Sequence, residues 1–393
     1  MPDTIGDRLR KSRKRGGLTQ RELARKSGVS YSLIQQLEQG ARHDTRLETA
    51  RKLAAALRVP TTKLIAEHAE ESADGATVEL WATVRRAAAG LHEDGDIAEP
   101  PTAEGVRSAL DATTPLFAGD RFGQLSTVLP RLIRDADVLA GIDRDGRAVR
   151  TRLMQLVGWL LVQTRQFDIA EDVLARVLGE SADRLQGAAV VNTQCWLALR
   201  RGRLAEAADL ATRWADDVEP TRLSRATMGE LSAWGWMLLR VSAATVRDAR
   251  EAEAEDALRL AESVAVAMGR EHAPRDDYLR TFGPVTVALK QAENAMIMDQ
   301  PDEVLRLANR VPAGGLRPTS NNRNRHLLDV AAAQVRLRHH PQAVETLLGI
   351  LRHSPEWLPN QRYARDIMGQ VVERRRMLTP QMRALADAVK LPL

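Results

Sequence analysis

Apolar residues recur three and four positions apart along this chain, the period of one face of an α-helix. In the first 68 residues that period is cut into five short pieces. Ile5 and Leu9 mark a helix over Ile5–Arg15, stopped by Gly16 and Gly17. Leu23 and Ala24 mark a second, capped by Thr19. Leu33, Ile34 and Leu37 mark a third, capped by Ser30 and ended by Gly40. Leu47, Ala50, Leu53, Ala54 and Leu57 give a fourth its inner stripe, with Thr45 as the cap. After the break at Val59-Pro60-Thr61, Leu64 and Ile65 begin a fifth. Loops of a few residues join all five, which predicts a compact bundle. Gly28 supplies a left-handed turn between the second and third helices, too short for them to lie flat together. They must cross steeply, and the third can then enter a DNA major groove.

Residues 67–77 are acidic and small, which places a linker at 69–78. Helical spacing returns from Val78 to Leu91 through Leu80, Trp81, Val84 and Ala88. A loop with Pro100-Pro101 follows, then helices near 104–117 and 120–140, the latter expected to kink or restart at Pro130. Arg144 to Arg165 is strongly amphipathic. From about 147 the chain alternates two helices per unit. Residues 166–171 align with 203–208, an offset of 37, and 300–304 align with 340–344, an offset of 40. Repeats of this length made of paired helices indicate an α-solenoid, which presents its first helices on a concave surface. Those first helices carry Trp159, Gln163, Asn192, Gln194, Trp196, Trp234, Trp236, Lys290, Asn294, Arg325, His326 and Asp329. Asn192, Trp196, Trp234 and Asn294 are the candidates for a ligand groove. An asparagine there can clamp an extended peptide backbone, or be a polar residue satisfied within the fold; a tryptophan can serve the groove or the core.

Two stretches carry a resemblance. LTQRELARKSGVSYSLIQQLEQG followed by LETARKLAAALRV is similar to the Cro/C1 (XRE) family of helix-turn-helix DNA-binding domains, with Gln20, Ala24, Gly28, Ile34, Glu38 and Gly40 at that family's spacing. The resemblance implies a lambda-repressor-like five-helix domain. It implies that Gln20 holds a phosphate and that Arg13 pairs with Glu38 as a structural tie. The base-reading positions map onto Tyr31, Ser32 and Gln36; a glutamine can bond an adenine edge at two points. Ser30, Gln35, Gln39, Arg42 and Arg46 are expected at phosphates, fixing register. No arginine lies on the third helix's reading face, so guanine contacts from it are not expected. LALRRGRLAEAADLATRWADDVEP resembles a tetratricopeptide (TPR) repeat, with Gly202 at the turn, close-packing Ala207 and Ala211, and Pro220 closing the unit. The whole layout resembles actinobacterial XRE-type regulators with TPR-like C-terminal domains.

Charge sharpens this division. Residues 1–68 hold 15 Lys/Arg and 7 Asp/Glu, a net of +8, and the remainder holds 42 and 45, a net of −3. Only the first module is expected to meet phosphates. There is no run of ~18 apolar residues and no apolar signal core, so a cytoplasmic protein without a membrane span is expected. The single cysteine, Cys195, excludes an internal disulfide and reads as a packed thiol. His339-His340 has no third ligand in view, and no phosphate loop or Ser/His/Asp pattern emerges, so neither a metal, a cofactor nor an enzyme activity is expected. The reading is an all-α regulator with a DNA-binding domain at 1–68 and a TPR-like domain at 79–393. That domain dimerises, so that two heads read a palindromic operator on double-stranded DNA, and senses a peptide or small-molecule effector. The alternative is a scaffold, adaptor or antitoxin-like repressor whose repeats bind a protein partner.

Overall fold

The computed structural model describes residues 4–42, 45–64, 75–92, 100–142, 144–273, 281–311, 320–373 and 377–391. Among them all regular structure is helical; an antiparallel bridge between His272 and Phe282 is the one extended pairing. The head comprises α1 (Ile5–Arg15), α2 (Gln20–Ser27), α3 (Tyr31–Glu38), α4 (Leu47–Leu57) and a 3-10 turn over Thr61–Lys63. Thr4 with Asp7 and Thr19 with Glu22 form capping boxes that satisfy the first amides of α1 and α2. Leu9, Leu23, Ile34, Leu37, Leu53 and Leu64 meet in one buried core. Two expectations change. Arg46, not Thr45, occupies the N-cap of α4, with no side-chain cap bond; Thr45 lies one residue too far back and is buried. Of the fifth helix only the 3-10 turn is described, and residues 65–74, which include Ile65 and residues 69–74 of the expected linker, lie outside the described residues.

The body begins with α5 (Gly75–Leu80) and α6 (Ala82–Ala88), so a helix starts inside the stretch expected to be linker. The single helix expected over 78–91 is broken at Trp81, whose ring is buried edge-on against Phe122, centroids 6.2 Å apart. Seating that ring turns Leu80 outward, where it is exposed. Then follow α7 (Ala103–Ala118), α8 (Phe122–Ile142), α9 (Arg144–Gln163), α10 (Phe167–Gly179), α11 (Arg184–Arg200) and α12 (Leu204–Val218). The chain continues through α13 (Met228–Arg247), α14 (Glu251–Met268), α15 (Pro284–Ile297), α16 (Pro301–Ala308), α17 (Ser320–Arg336), α18 (His340–His353), α19 (Arg362–Val372) and α20 (Pro380–Ala388). Pro130 does not restart α8, which runs through it. A proline costs a helix one main-chain bond, and the buried Leu129, Leu132 and Ile133 hold the segment in place around it.

One turn joins the two helices of six described pairs in the body. Asp120, Arg165, Gly202, Ala249, Asp299 and Arg338 all take left-handed φ between 53° and 75°. At each, the next amide bonds the carbonyl five residues back: Arg121 to Leu116, Gln166 to Leu161, Arg203 to Ala198, Arg250 to Thr245, Gln300 to Ala295 and His339 to Gln334, at 2.7–2.9 Å. This is the Schellman ending of a helix, and the next helix begins almost at once. The fifth residue after each turn (Leu125, Ala170, Ala207, Ala254, Val304, Ala343) is buried, mostly as a small side chain that lets the returning helix approach its partner. The array therefore extends one pair further toward the N-terminus than the sequence offsets indicate, to α7–α8.

The first helices of successive pairs pack on one another, α7 on α9, α9 on α11, and on through α13, α15, α17 and α19. The coil also closes. Glu356 accepts the Gly123 amide at 2.7 Å, Trp357 Nε1 donates to Gln163 at 3.3 Å, and residues of α6–α10 share one hydrophobic core with residues of α15–α20. No helix of the described residues is long and apolar enough to cross a membrane.

Candidate nucleic-acid interface

The turn between α2 and α3 is built as its sequence demands. Gly28 ends α2 at φ 68°, where a Cβ would be strained, and its amide bonds the Ala24 carbonyl at 3.0 Å. Ser30 then caps α3, its hydroxyl accepting the Leu33 amide at 3.3 Å. Ser30 is thus committed to starting the helix as well as standing at the expected phosphate face. Gly6 makes a contribution that hydrophobic spacing does not reveal. A Cβ on it would stand 2.0 Å from the Leu37 carbonyl oxygen, so only glycine lets α1 lie directly against α3.

Glu38 is the hub that fixes α3. Arg13 donates Nε to one of its carboxylate oxygens at 2.6 Å and a second guanidinium nitrogen to the other at 2.7 Å. Gln20 Nε2 donates to the same carboxylate at 2.8 Å, and Arg10 reaches the Glu38 main-chain carbonyl. Arg13 also bonds the Leu18 carbonyl at 2.8 Å, tying the entry to α2 into the same knot. Burial on its own would raise the Glu38 pKa; the bonds from Arg13 and Gln20 outweigh it and hold the carboxyl below its ordinary value. The Arg13–Glu38 tie is therefore present as expected. Gln20, expected at a phosphate, spends its amide nitrogen on that tie.

The opposite face of α3 is open. Tyr31, Ser32, Gln36 and Gln39 are exposed, and Gln35 is half-buried. Arg42 and Arg46 are exposed just beyond, with the Arg42 amide on the Gln36 carbonyl at 3.1 Å. A residue not predicted joins them: the exposed Arg21 of α2 sits 5.8 Å over the Tyr31 ring. The exposed face of α3 thus has an arginine beside it, delivered by the neighbouring helix and steadied by a cation–π contact. Its sequence signal was a basic residue in the first turn of α2, directly after Gln20.

The head is not free on the body. Arg51 of α4, almost fully buried, donates Nε to the Val246 carbonyl at 3.0 Å and pairs with Glu251 at 3.1 Å. Thr61 gives its amide to the Asp248 carbonyl at 3.1 Å and its hydroxyl to the Arg247 carbonyl at 2.9 Å, and the Thr62 amide bonds the Asp248 carboxylate at 2.9 Å. Glu48, Lys52, Asp299 and Arg336 complete an ionic bracket, and Ala249 packs on the head's apolar core. With the head held this way, Tyr31, Ser32 and Gln36 remain exposed.

The expected groove residues lie within the inner layer and are engaged there. Asn192 accepts from Arg240 at 2.5 Å, Asn294 donates to Ser242 at 2.7 Å, and Trp234 belongs to the core of α11–α15. Two guanidinium groups stand against the Trp196 ring, Arg200 at 5.5 Å and Arg325 at 5.1 Å. Arg325 comes from α17 and Trp196 from α11, so this stack spans the inside of the closed coil.

The chain matches no curated protein and no solved structure, but it does match the family described as helix-turn-helix, over residues 9–64. That span covers α2, α3 and the Glu38 hub, and none of the body. Residues 9–64 are a helix-turn-helix domain of the Cro/C1 type, the DNA-binding part of a transcription regulator.

Proposed function

We propose that the protein is a sequence-specific regulator in the cytoplasm, whose TPR-like body joins two copies and responds to an effector, so that head placement depends on the state of the body. The observation that carries this reading is the docked head. Its bonds run from α4 and the 3-10 turn to α13, α14 and the residues around α15 and α17, while the base-reading side of α3 stays open. A body that grips the head without covering its reading face acts on DNA through head position. One head spans too few base pairs for high specificity, and two heads about 34 Å apart on adjacent major grooves supply it. An effector that prefers one arrangement of the body shifts the fraction of correctly spaced heads. Tyr31, Ser32 and Gln36 read bases in this scheme, and Gln20, Ser30, Gln35, Gln39, Arg42 and Arg46 position the backbone.

Genome-wide mapping of DNA bound by the full chain tests the proposal. A recurrent inverted repeat with half-sites about one helical turn apart is expected. Single half-sites without symmetry would remove the dimer, and sequence-independent binding would remove the regulator.

A further inference from the structure

Arg247 is the last residue of α13, and it faces two ways. Its main-chain carbonyl accepts the Thr61 hydroxyl of the head at 2.9 Å, beside Asp248, which takes the Thr61 and Thr62 amides. Its guanidinium reaches the inner layer and donates to Glu293 of α15 at 2.5 Å. Lys290 donates to the other Glu293 oxygen at 2.6 Å. One carboxylate thus holds two cations, and one of those cations carries the head's anchor on its own backbone. Around this clasp stand Arg240 of α13 with Arg325 and Asp329 of α17. One polar atom beside it has no hydrogen-bond partner among the described residues although its side chain is more than nine-tenths buried. It is Nδ1 of His326, a ring close enough to Lys290 to feel its charge. A buried ring nitrogen without a partner is left for a group that the fold itself does not supply.

We propose that Glu293 couples the interior of the body to the head, and that a carboxylate of an entering ligand is the group that competes with it for Lys290 and Arg247. The seat already holds a carboxylate between two cationic donors, and the unpaired His326 nitrogen beside Lys290 offers a further polar partner to a ligand. A ligand taking Arg247 from Glu293 pulls on the end of α13, and the Thr61–Arg247 and Thr62–Asp248 bonds carry that pull to the head. The proposal rests on the reading of the body as the responsive part, and names its ligand class and its route to the head.

The test is the distance between spin labels on Lys26→Cys in the head and Arg259→Cys in α14, both exposed positions. Native Cys195 is buried and stays unlabelled. The parent protein is expected to give one narrow distance, and Glu293→Ala to lose it. Sodium formate, a free carboxylate, restores the narrow distance in Glu293→Ala, and sodium chloride at equal ionic strength does not. Thr61→Val removes the head's hydroxyl bond to the Arg247 carbonyl, downstream of Glu293, and is expected to broaden the distance in a way that formate does not rescue. Broadening in Thr61→Val with none in Glu293→Ala overturns the coupling, as does a narrow distance in both. Broadening in Glu293→Ala that formate leaves unchanged overturns the carboxylate seat. Should Glu293→Ala not fold, the isosteric Glu293→Gln carries the coupling test by the same distance. Failure of the parent protein to select any operator would count against the regulator reading alone, because the label distance is measured without DNA.

Discussion

Replacing Glu38 by Gln tests whether the head is held by its ionic hub or by its apolar core. The Glu38 side chain is 2% exposed and that of Arg13 12%, so solvent screens the pair little. Removing one partner of such a pair costs about 3–5 kcal/mol, because the other charge stays buried without its counter-ion. Gln keeps one acceptor oxygen but turns an amide toward Arg13 and Gln20, so the lower end, about 3 kcal/mol, is the expectation. A domain of this size has only about 3–9 kcal/mol of stability in all. Hydrogen exchange on the full chain reads the effect directly, and amides of α1 and α3 should exchange about 150-fold faster, since each 1.36 kcal/mol is a factor of ten. Amides of α11 in the body should be unaffected. The pH dependence has a definite sign. The Glu38 pKa is lowered in the fold, so its contribution is complete above the ordinary value of 4.5 and is lost as pH falls through the lower folded value. Head protection in the parent should therefore fall on acidification below 4.5, and Glu38→Gln should lack this component. An exchange rate in α3 changed less than about threefold would refute the hub, leaving the apolar core as the sole tie.

Gly6→Ala should destabilise the head by about 1–3 kcal/mol or more, since its Cβ must displace the Leu37 carbonyl; unchanged thermal unfolding would refute the close approach. Gln36→Ala should flatten base preference by about 1–3 kcal/mol at one operator position, whereas Arg42→Ala should weaken all sequences alike and lower the salt slope by about 0.9. A competition assay across operator variants and salt separates the two. Arg21→Ala should weaken operator binding while leaving α3 protected from exchange, and unchanged affinity would remove Arg21 from the interface. Cys195, buried and with its thiol pushed up to about 12 by burial, should resist iodoacetamide at pH 8 in native protein and react on unfolding.

The head was legible from the chain because its information is local. Caps at Thr19 and Ser30, the left-handed Gly28 and the apolar triplet Leu33, Ile34 and Leu37 are set within a turn or two of each other. Helix boundaries for α1 to α3 therefore follow from spacing alone, and the resemblance placed Arg13 on Glu38. The repeat was partly legible for the same reason: Gly202 marks its turn openly, while Asp120, Arg165, Ala249, Asp299 and Arg338 adopt the same left-handed φ without a glycine to announce it. Their common signal is the buried, mostly small residue five positions on, which becomes visible only once the turns are superimposed.

Tertiary structure decided what depends on distant segments. Arg51 lies on the amphipathic helix α4, where spacing gives it no partner, yet it is buried on Val246 and Glu251, about two hundred positions away. Arg325 reaches Trp196 only because the coil closes, and closure rests on contacts such as Glu356 with Gly123 that carry no periodic signature. Arg21 joins the exposed face of α3 because α2 crosses α3 at an angle that puts it over Tyr31. Short-range spacing and capping therefore determined the helices of the head and the turn between α2 and α3. The position of α3 relative to the body was decided by side chains meeting across the fold, where each partner's role depends on where the other one lands.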